Sequence, residues 1–217
     1  MGLSGFNIFG GTFLVLAAIL SCPSSALSEN VEKTMAALDA TYERLKGLEA
    51  RFTQTTKFVD FDTQAISTGR IYLKKGKLRW DYVTPHQQQI LVDGDTLLQY
   101  VPEHDQVIKS PIGRRTGLPI DLLTNLGALR KQFQIAEQDK GVFTWTPKDK
   151  KSPLPKMDIT LLPAPKGSGV LIHKVVLYED NGNQSTFVFT DFQIDKKWRD
   201  NPFILKWPEG VEVIEMP

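Results

Sequence analysis

The chain has 217 residues, 41% of them hydrophobic, and a formal net charge of +1 at pH 7. That length can bury a sizeable core in one domain. Its Lys and Arg residues are scattered rather than clustered, which excludes the basic footprint of a nucleic-acid-binding surface. Cys22 is the single cysteine, so no disulfide framework is available and stability must come from core packing.

No charged side chain precedes Glu29, and Ile8 to Leu20 is an almost wholly apolar run. The run is short for a membrane span and of the right length for a signal-peptide core. Residues 1–26 are read as a signal peptide and residues 27–217 as one domain. Two processing routes fit. Small residues at Ser24 and Ala26 suit cleavage before Leu27, whereas Ile19-Leu20-Ser21-Cys22 resembles a lipobox with Cys22 as the lipid anchor.

From Glu29 to about Gln54, Met35, Leu38, Tyr42, Leu45, Leu48 and Phe52 recur at intervals of three and four, predicting one long amphipathic helix. Ser28-Glu29-Asn30 supplies its N-cap region. Alternation over Arg51 to Ser67 predicts a strand, a loop around Asp60 to Thr63, and a second strand. Gly69 to Lys109 reads as four consecutive antiparallel strands, with turns at Lys75-Gly76, Pro85, Asp93-Gly94-Asp95 and Pro102. In the second of these, Leu78, Trp80 and Tyr82 share one face and Lys77, Arg79 and Asp81 the other. The neighbouring strands are apolar on both faces, a surplus that a half-solvated sheet does not need.

After Lys109 the pattern breaks at Pro111, Gly113, Gly117 and Pro119. Pro119 suits the first turn of a helix, and Ile120, Leu122, Leu123, Leu126 and Leu129 make it short and very apolar. Such a segment is either buried or lies over an apolar opening. Strands then return at Gln132 to Ile135, Gly141 to Thr146, Met157 to Leu162, Val170 to Glu179 and Ser185 to Ile194. The last two flank a hairpin turn at Asp180-Asn181-Gly182-Asn183. A final short strand is expected at Phe203 to Lys206. The fold class is mainly β with α: about ten or eleven strands by pattern, a long N-terminal helix and short lid helices. A sheet of that size curls.

A search for reaction chemistry finds little. His86, His104 and His173 have no metal-ligand spacing, and Gly167-Ser168-Gly169 is a turn rather than a nucleophile elbow. The acidic pairs Asp60/Asp62 and Asp93/Asp95 fall in turns, where Asp bonds its own backbone. No phosphate loop or dinucleotide fingerprint is present. No metal, cofactor or catalysis is expected. What remains is aromatic surface on strands: Tyr72, Trp80, Tyr82, Tyr100, Phe133, Phe143 and Trp145. Either these residues form an ordinary core, or one concave face stays partly unfilled and accepts an apolar ligand.

An ordered series of residues gives the chain a wider likeness. It runs from Phe52-Thr53-Gln54 through Gly69-Arg70-Ile71-Tyr72-Leu73-Lys74 and Leu78-Arg79-Trp80-Asp81-Tyr82. It continues with Pro85, Gln89-Ile90, Asp93-Gly94, Leu97, Tyr100, Asp105-Gln106-Val107, the Leu118 to Leu123 segment, and Asp180 to Ser185. It ends at Pro208-Glu209-Gly210-Val211-Glu212-Val213-Ile214. With this series the chain resembles the outer-membrane lipoprotein carrier (LolA) family of Gram-negative bacteria. The resemblance implies an incomplete, open antiparallel β-barrel closed by a helical lid. It also implies a periplasmic, non-enzymatic and monomeric chaperone that binds lipoprotein acyl chains. Its partners would be acylated lipoproteins, an inner-membrane lipoprotein-releasing ABC transporter and an outer-membrane lipoprotein receptor.

The expected acyl-binding wall comprises Tyr72, Leu78, Trp80, Tyr82, Leu98 and Tyr100, with Leu122, Leu123 and Leu126 in the lid. One departure stands out. Family members commonly carry Arg-Pro just after the strand that here ends at Lys74, and that arginine is implicated in holding the lid closed. This chain has Lys75-Gly76, so Lys75 is the lid-closure candidate, with Arg70 and Arg79 as alternatives. Two other readings stay open: a carrier or sensor of another lipid or glycolipid on the same fold, and a lipoprotein tethered through Cys22.

Overall fold

The computed structural model describes residues 24–112, 118–152, 154–167 and 169–216. Cys22, the Ile8 to Leu20 run, Gly113 and Gly117 lie outside these residues. Helix α1 spans Ser24–Arg44 and buries Val31, Met35 and Leu38, spaced by four and three, on one face. Near its end the Thr41 hydroxyl accepts a hydrogen bond from the Val170 N–H at 3.1 Å, and the buried Tyr42 hydroxyl accepts one from the Ile172 N–H at 3.2 Å.

The helix is shorter than its apolar spacing predicts. Leu48–Phe58 is strand β1, paired on both sides, and Leu48, Ala50 and Phe52 are its buried positions. Residues four apart, such as 48 and 52, satisfy a helical period and a strand period equally, so the pattern could not separate them. Gly47 marks the change. Its carbonyl accepts from the Lys196 N–H, and the Trp198 ring lies where a side chain on residue 47 would sit.

The four turns expected between Gly69 and Lys109 are present, and they delimit five strands rather than four. These are β2 (Thr63–Lys74), β3 (Lys77–Thr84), β4 (Gln88–Asp93), β5 (Thr96–Val101) and β6 (Gln106–Pro111). The apolar segment forms α2 (Leu118–Thr124) and α3 (Leu126–Arg130). Next come β7 (Phe133–Asp139), β8 (Val142–Pro147), β9 (Lys156–Pro163), β10 (Val170–Tyr178), β11 (Gln184–Ile194) and β12 (Glu212–Glu215).

Phe203 to Lys206 is not a strand. The Arg79 guanidinium donates to the carbonyls of Pro202 at 3.0 Å and Ile204 at 3.3 Å, so these acceptors serve a side chain instead of a ladder. Phe203 and Leu205 are buried there against the sheet.

The strands make one twelve-stranded sheet in the order β12-β6-β5-β4-β3-β2-β1-β11-β10-β9-β8-β7. Every neighbouring pair is antiparallel except β12 and β6. The sheet does not close on itself, since β12 and β7 are its two edges. Gly69 lies where β2 shifts register against β3, and a Cβ there would meet the Asp81 carbonyl oxygen and the Phe52 ring. Its absence lets the Phe52 ring approach the strand closely.

The two faces of the sheet carry separate apolar clusters. The larger joins α1, α2 and α3 to the inner face of most strands. The smaller lies on the outer face, where Leu91, Tyr100 and Val107 pack against Phe203 and Leu205.

Candidate functional site

Strand β3 supplies the centre of the inner face. Trp80 is almost fully buried, with ring centroids 5.0 Å from Phe52, 5.7 Å from Phe187 and 5.9 Å from Phe189. Tyr82, two residues along the same face, meets Phe52 edge-on at 5.0 Å and donates its hydroxyl hydrogen to Gln54 Oε1 at 2.9 Å. Edge-to-face packing of this kind adds to the gain from burial alone. Burial pushes the Tyr82 phenol up to about 12, so it stays a protonated donor at neutral pH. The indole N–H of Trp80 is buried without a partner in hydrogen-bonding geometry among the described residues.

Beside this cluster the inner face is not filled. A pocket of about 320 Å³ lies between Trp80 and Tyr82 of β3, Ile90 of β4, Leu97 and Gln99 of β5, and Ile108 and Ser110 of β6. Phe187 of β11, packed on Trp80, and Met216, just beyond β12, also line it, and Ile120 of α2 covers it. Its described lining is mostly apolar and contains no charged side chain, which suits an apolar ligand. The three histidines do not meet. His86 pairs with Glu103 on the surface, and the His173 ring bonds the Phe189 carbonyl.

The nine expected acyl-binding residues divide. Leu78, Trp80, Tyr82, Leu122, Leu123 and Leu126 belong to or pack on the inner cluster, and Trp80 and Tyr82 line the pocket itself. Tyr72, Leu98 and Tyr100 lie on the outer face, where Tyr72 meets Trp198 at 6.3 Å and Tyr100 is buried among Leu91, Val107 and Phe203. They do not line the pocket. The reason is register: Ile71 and Leu73 of β2, and Leu97 and Gln99 of β5, take the inner face, which turns their neighbours outward. The other lining residues, Ile90, Leu97, Gln99, Ile108, Ser110, Ile120, Phe187 and Met216, are not among the expected acyl-binding set. The tight turn at Asp93-Gly94-Asp95 was the available signal, since the Asp93–Thr96 pairing fixes which β5 residues share a face with Ile90.

The lid contacts differ from the expected ones in a similar way. Lys75 lies with Gly76 along a groove facing Leu123, Leu126 and Gly127, but it is exposed and has no ion-pair partner among the described residues. Arg70 and Arg79 are on the far side of the sheet. Arg70 approaches Glu49 at 3.4 Å, and Arg79 makes paired bonds to Asp81 at 2.8 and 2.9 Å besides holding the Pro202 and Ile204 carbonyls. Neither can reach the lid.

Arg130, the last residue of α3, makes the ionic contact between lid and α1. It donates to Glu32 Oε2 at 2.9 Å and forms an ion pair with Asp39 Oδ2 at 3.1 Å. Burial raises the Asp39 pKa above the usual carboxylate value, and Arg130 opposes that shift. The other Asp39 oxygen and Arg130 Nε are buried without hydrogen-bond partners among the described residues.

Comparison with known proteins follows the same lines. The sequence model of the family described as "Outer membrane lipoprotein carrier protein LolA" matches residues 43–206. The chain is 30% identical over 207 residues to the outer-membrane lipoprotein carrier protein of Photobacterium profundum, covering 94% of this chain and 96% of that protein. It is 25% identical over 207 residues to the protein of that name from Bordetella avium, covering 93% and 95%. The crystal structure of a "putative outer membrane lipoprotein-sorting protein domain" from Vibrio parahaemolyticus superposes with a TM-score of 0.51 at 13% identity. That superposition covers 83% of this chain and 97% of the other, and it speaks to the fold alone.

Proposed function

The chain belongs to the LolA family of outer membrane lipoprotein carrier proteins, and from that premise we propose that it is itself a lipoprotein carrier. In this reading it is a periplasmic, non-enzymatic, monomeric protein that shields the acyl chains of a lipoprotein between an inner-membrane releasing transporter and an outer-membrane receptor. The observation that carries the proposal is the unfilled apolar pocket roofed by α2. Each methylene taken from water contributes about 0.8 kcal/mol, so a fully covered palmitoyl chain gains roughly 10 kcal/mol. That is enough to hold an acyl chain in aqueous solution, and enough to make release depend on a lid that moves.

The pocket of about 320 Å³ is at the lower end of the roughly 300–1,000 Å³ range of ligand sites. It suits one aliphatic segment as it stands, and a cargo with several acyl chains requires α2 and α3 to swing away.

Filling the pocket tests the reading. Ile108→Trp is expected to leave the protein folded, to remove acylated species from its native mass spectrum after gentle extraction, and to abolish complementation of a carrier-depleted strain. Full complementation by Ile108→Trp, or wild-type protein that never retains a lipoprotein or lipid, would overturn it. The identity of the retained species separates a lipoprotein carrier from a carrier of another lipid. The mature form in this reading begins at Leu27. An intact mass for residues 27–217 without added lipid is the expected result, and a lipid-modified chain starting at Cys22 would establish the tethered form instead.

A further inference from the structure

Strand β2 outruns one of its neighbours. It pairs with β1 from Thr63 to Leu73, whereas its pairing with β3 starts only at Thr68, opposite Thr84. Thr84 is the last residue of β3, and Pro85, which follows, has no N–H with which to extend the ladder. Residues 63–67 of β2 form a step in the sheet, about 17 Å long at roughly 3.4 Å per residue. On the open side of the step, alternate residues turn their N–H and C=O outwards. These groups have no partner among the described residues.

Exposed edges are ordinarily blunted by charge, proline or a bulge. The two outer edges of this sheet follow that rule. β7 carries Glu137 and Asp139 with an irregularity between them, and β12 is four residues long with a glutamate at each end. The step is different. Thr63-Gln64-Ala65-Ile66-Ser67 holds no charge, no proline and no register shift, and all but Ser67 are exposed. Ile66 and Val83, each about half exposed, add apolar surface beside it. Such an edge is a template for one more strand.

The shape of the step selects its occupant. A second copy pairing through its own β2 would carry its next residue, 62 or 68, into the space beside Thr68, which Thr84 fills. The step takes instead a segment that begins there or turns away. On the inner side a path leads on from it: Ser67 is opposite Gln54, Gln54 accepts the Tyr82 hydroxyl, and Tyr82 lines the pocket. A lipoprotein has the matching form, since its acylated residue is the first of its chain.

We propose that residues 63–67 of β2 bind the first residues of an acylated polypeptide as an added antiparallel strand, while its acyl chain occupies the pocket. Its N-terminus lies at the Ser67 end, towards Tyr82, and the chain runs out past Thr63. The inference rests on the acyl-carrier reading above and concerns the protein part of the same cargo. Main-chain pairing suits a carrier of varied cargo, because the N–H and C=O groups that it reads are common to almost any sequence.

The test titrates the full mature chain with an N-decanoyl hexapeptide amide of alternating valine and threonine, followed by calorimetry. Three forms are compared: the parent, one N-methylated at its second and fourth residues, and one N-methylated at its third and fifth. One methylated set points at β2 and loses two hydrogen bonds, which should weaken binding about ten-fold. The other set points away from β2, and that form should bind nearly as tightly as the parent. The parent should also slow amide exchange within residues 63–67. N-decanoyl glycinamide, which keeps the acyl chain without the strand, should leave that exchange unchanged. Equal affinities for the three forms, equal loss in both methylated forms, or no slowing at 63–67 would overturn the added strand and leave the acyl pocket standing. Failure of every decanoyl probe to bind would overturn the pocket reading, and the strand with it.

Discussion

Trp80→Ala should cost about 3–5 kcal/mol of stability, the usual range for removing a large aromatic from a packed core. In a domain of this size that lowers the Tm by about 6–20 °C. Trp80 is only 1% exposed and has Phe52, Phe187 and Phe189 around it, so the void cannot collapse without separating β1, β3 and β11. Trp80→Phe should cost far less, under about 2 kcal/mol, because it keeps a ring in contact and deletes an indole N–H that has no partner among the described residues. Tyr72→Ala is the control on the opposite face. It removes the contact with Trp198 and should leave retained acyl species unchanged. Urea denaturation and native mass spectrometry of the three variants check all three statements. A Tyr72→Ala protein emptied of lipid would refute the assignment of faces.

Arg130→Ala should release the lid from α1. The Asp39 arm of the contact is about four-fifths buried at both ends, whereas the Glu32 carboxylate is 71% exposed and adds little. Losing a charged hydrogen bond at a mostly buried site costs about 1.5–3 kcal/mol. Amide exchange should quicken over residues 118–130 more than in β9 and β10. Unchanged exchange there would show that apolar packing of Leu122, Leu123 and Leu126 holds the lid without the ion pair. Arg130→Lys should fall between, since a lysine ammonium is a point charge in place of a planar fork.

The same pair gives a pH dependence with a definite sign. Burial raises the Asp39 pKa in the folded state above its unfolded value, with Arg130 opposing. Between those two values the native state holds the proton more tightly, so Asp39's contribution is fully present below the unfolded pKa and is lost as pH rises through the folded one. Removing Arg130 deletes the opposing influence and moves that window to higher pH. Asp39→Asn should erase it, which denaturation midpoints measured across the acid range would show.

Strands were legible in the sequence where one face was polar and a helical period did not fit the same residues. β3 alternates Leu78, Trp80 and Tyr82 with charged neighbours, and its inner face is the expected one. In β5 the same logic points the opposite way. Leu98 and Tyr100 look like the buried set because Gln99 between Leu97 and Val101 is polar, yet Leu97 and Gln99 face the pocket. A polar residue within an apolar strand marks the solvent side in an ordinary sheet, and here it marks the pocket side.

The amino-acid sequence by itself determined most of the strands and turns between β2 and β11, the leucine-rich segment between β6 and β7, and the family. Each of these depends on local periodicity or on residues close along the chain. Only the tertiary structure decided where α1 gives way to β1, which faces of β2 and β5 look inward, and that Arg130, not Lys75, makes the ionic contact with α1. Those outcomes depend on partners far along the chain: Trp198 beside Gly47, the 202–205 segment covering the outer face, and Asp39 opposite Arg130. A residue's own neighbours specify its backbone period, but both faces of a doubly apolar strand satisfy that period equally. Packing against distant chain segments then selects one.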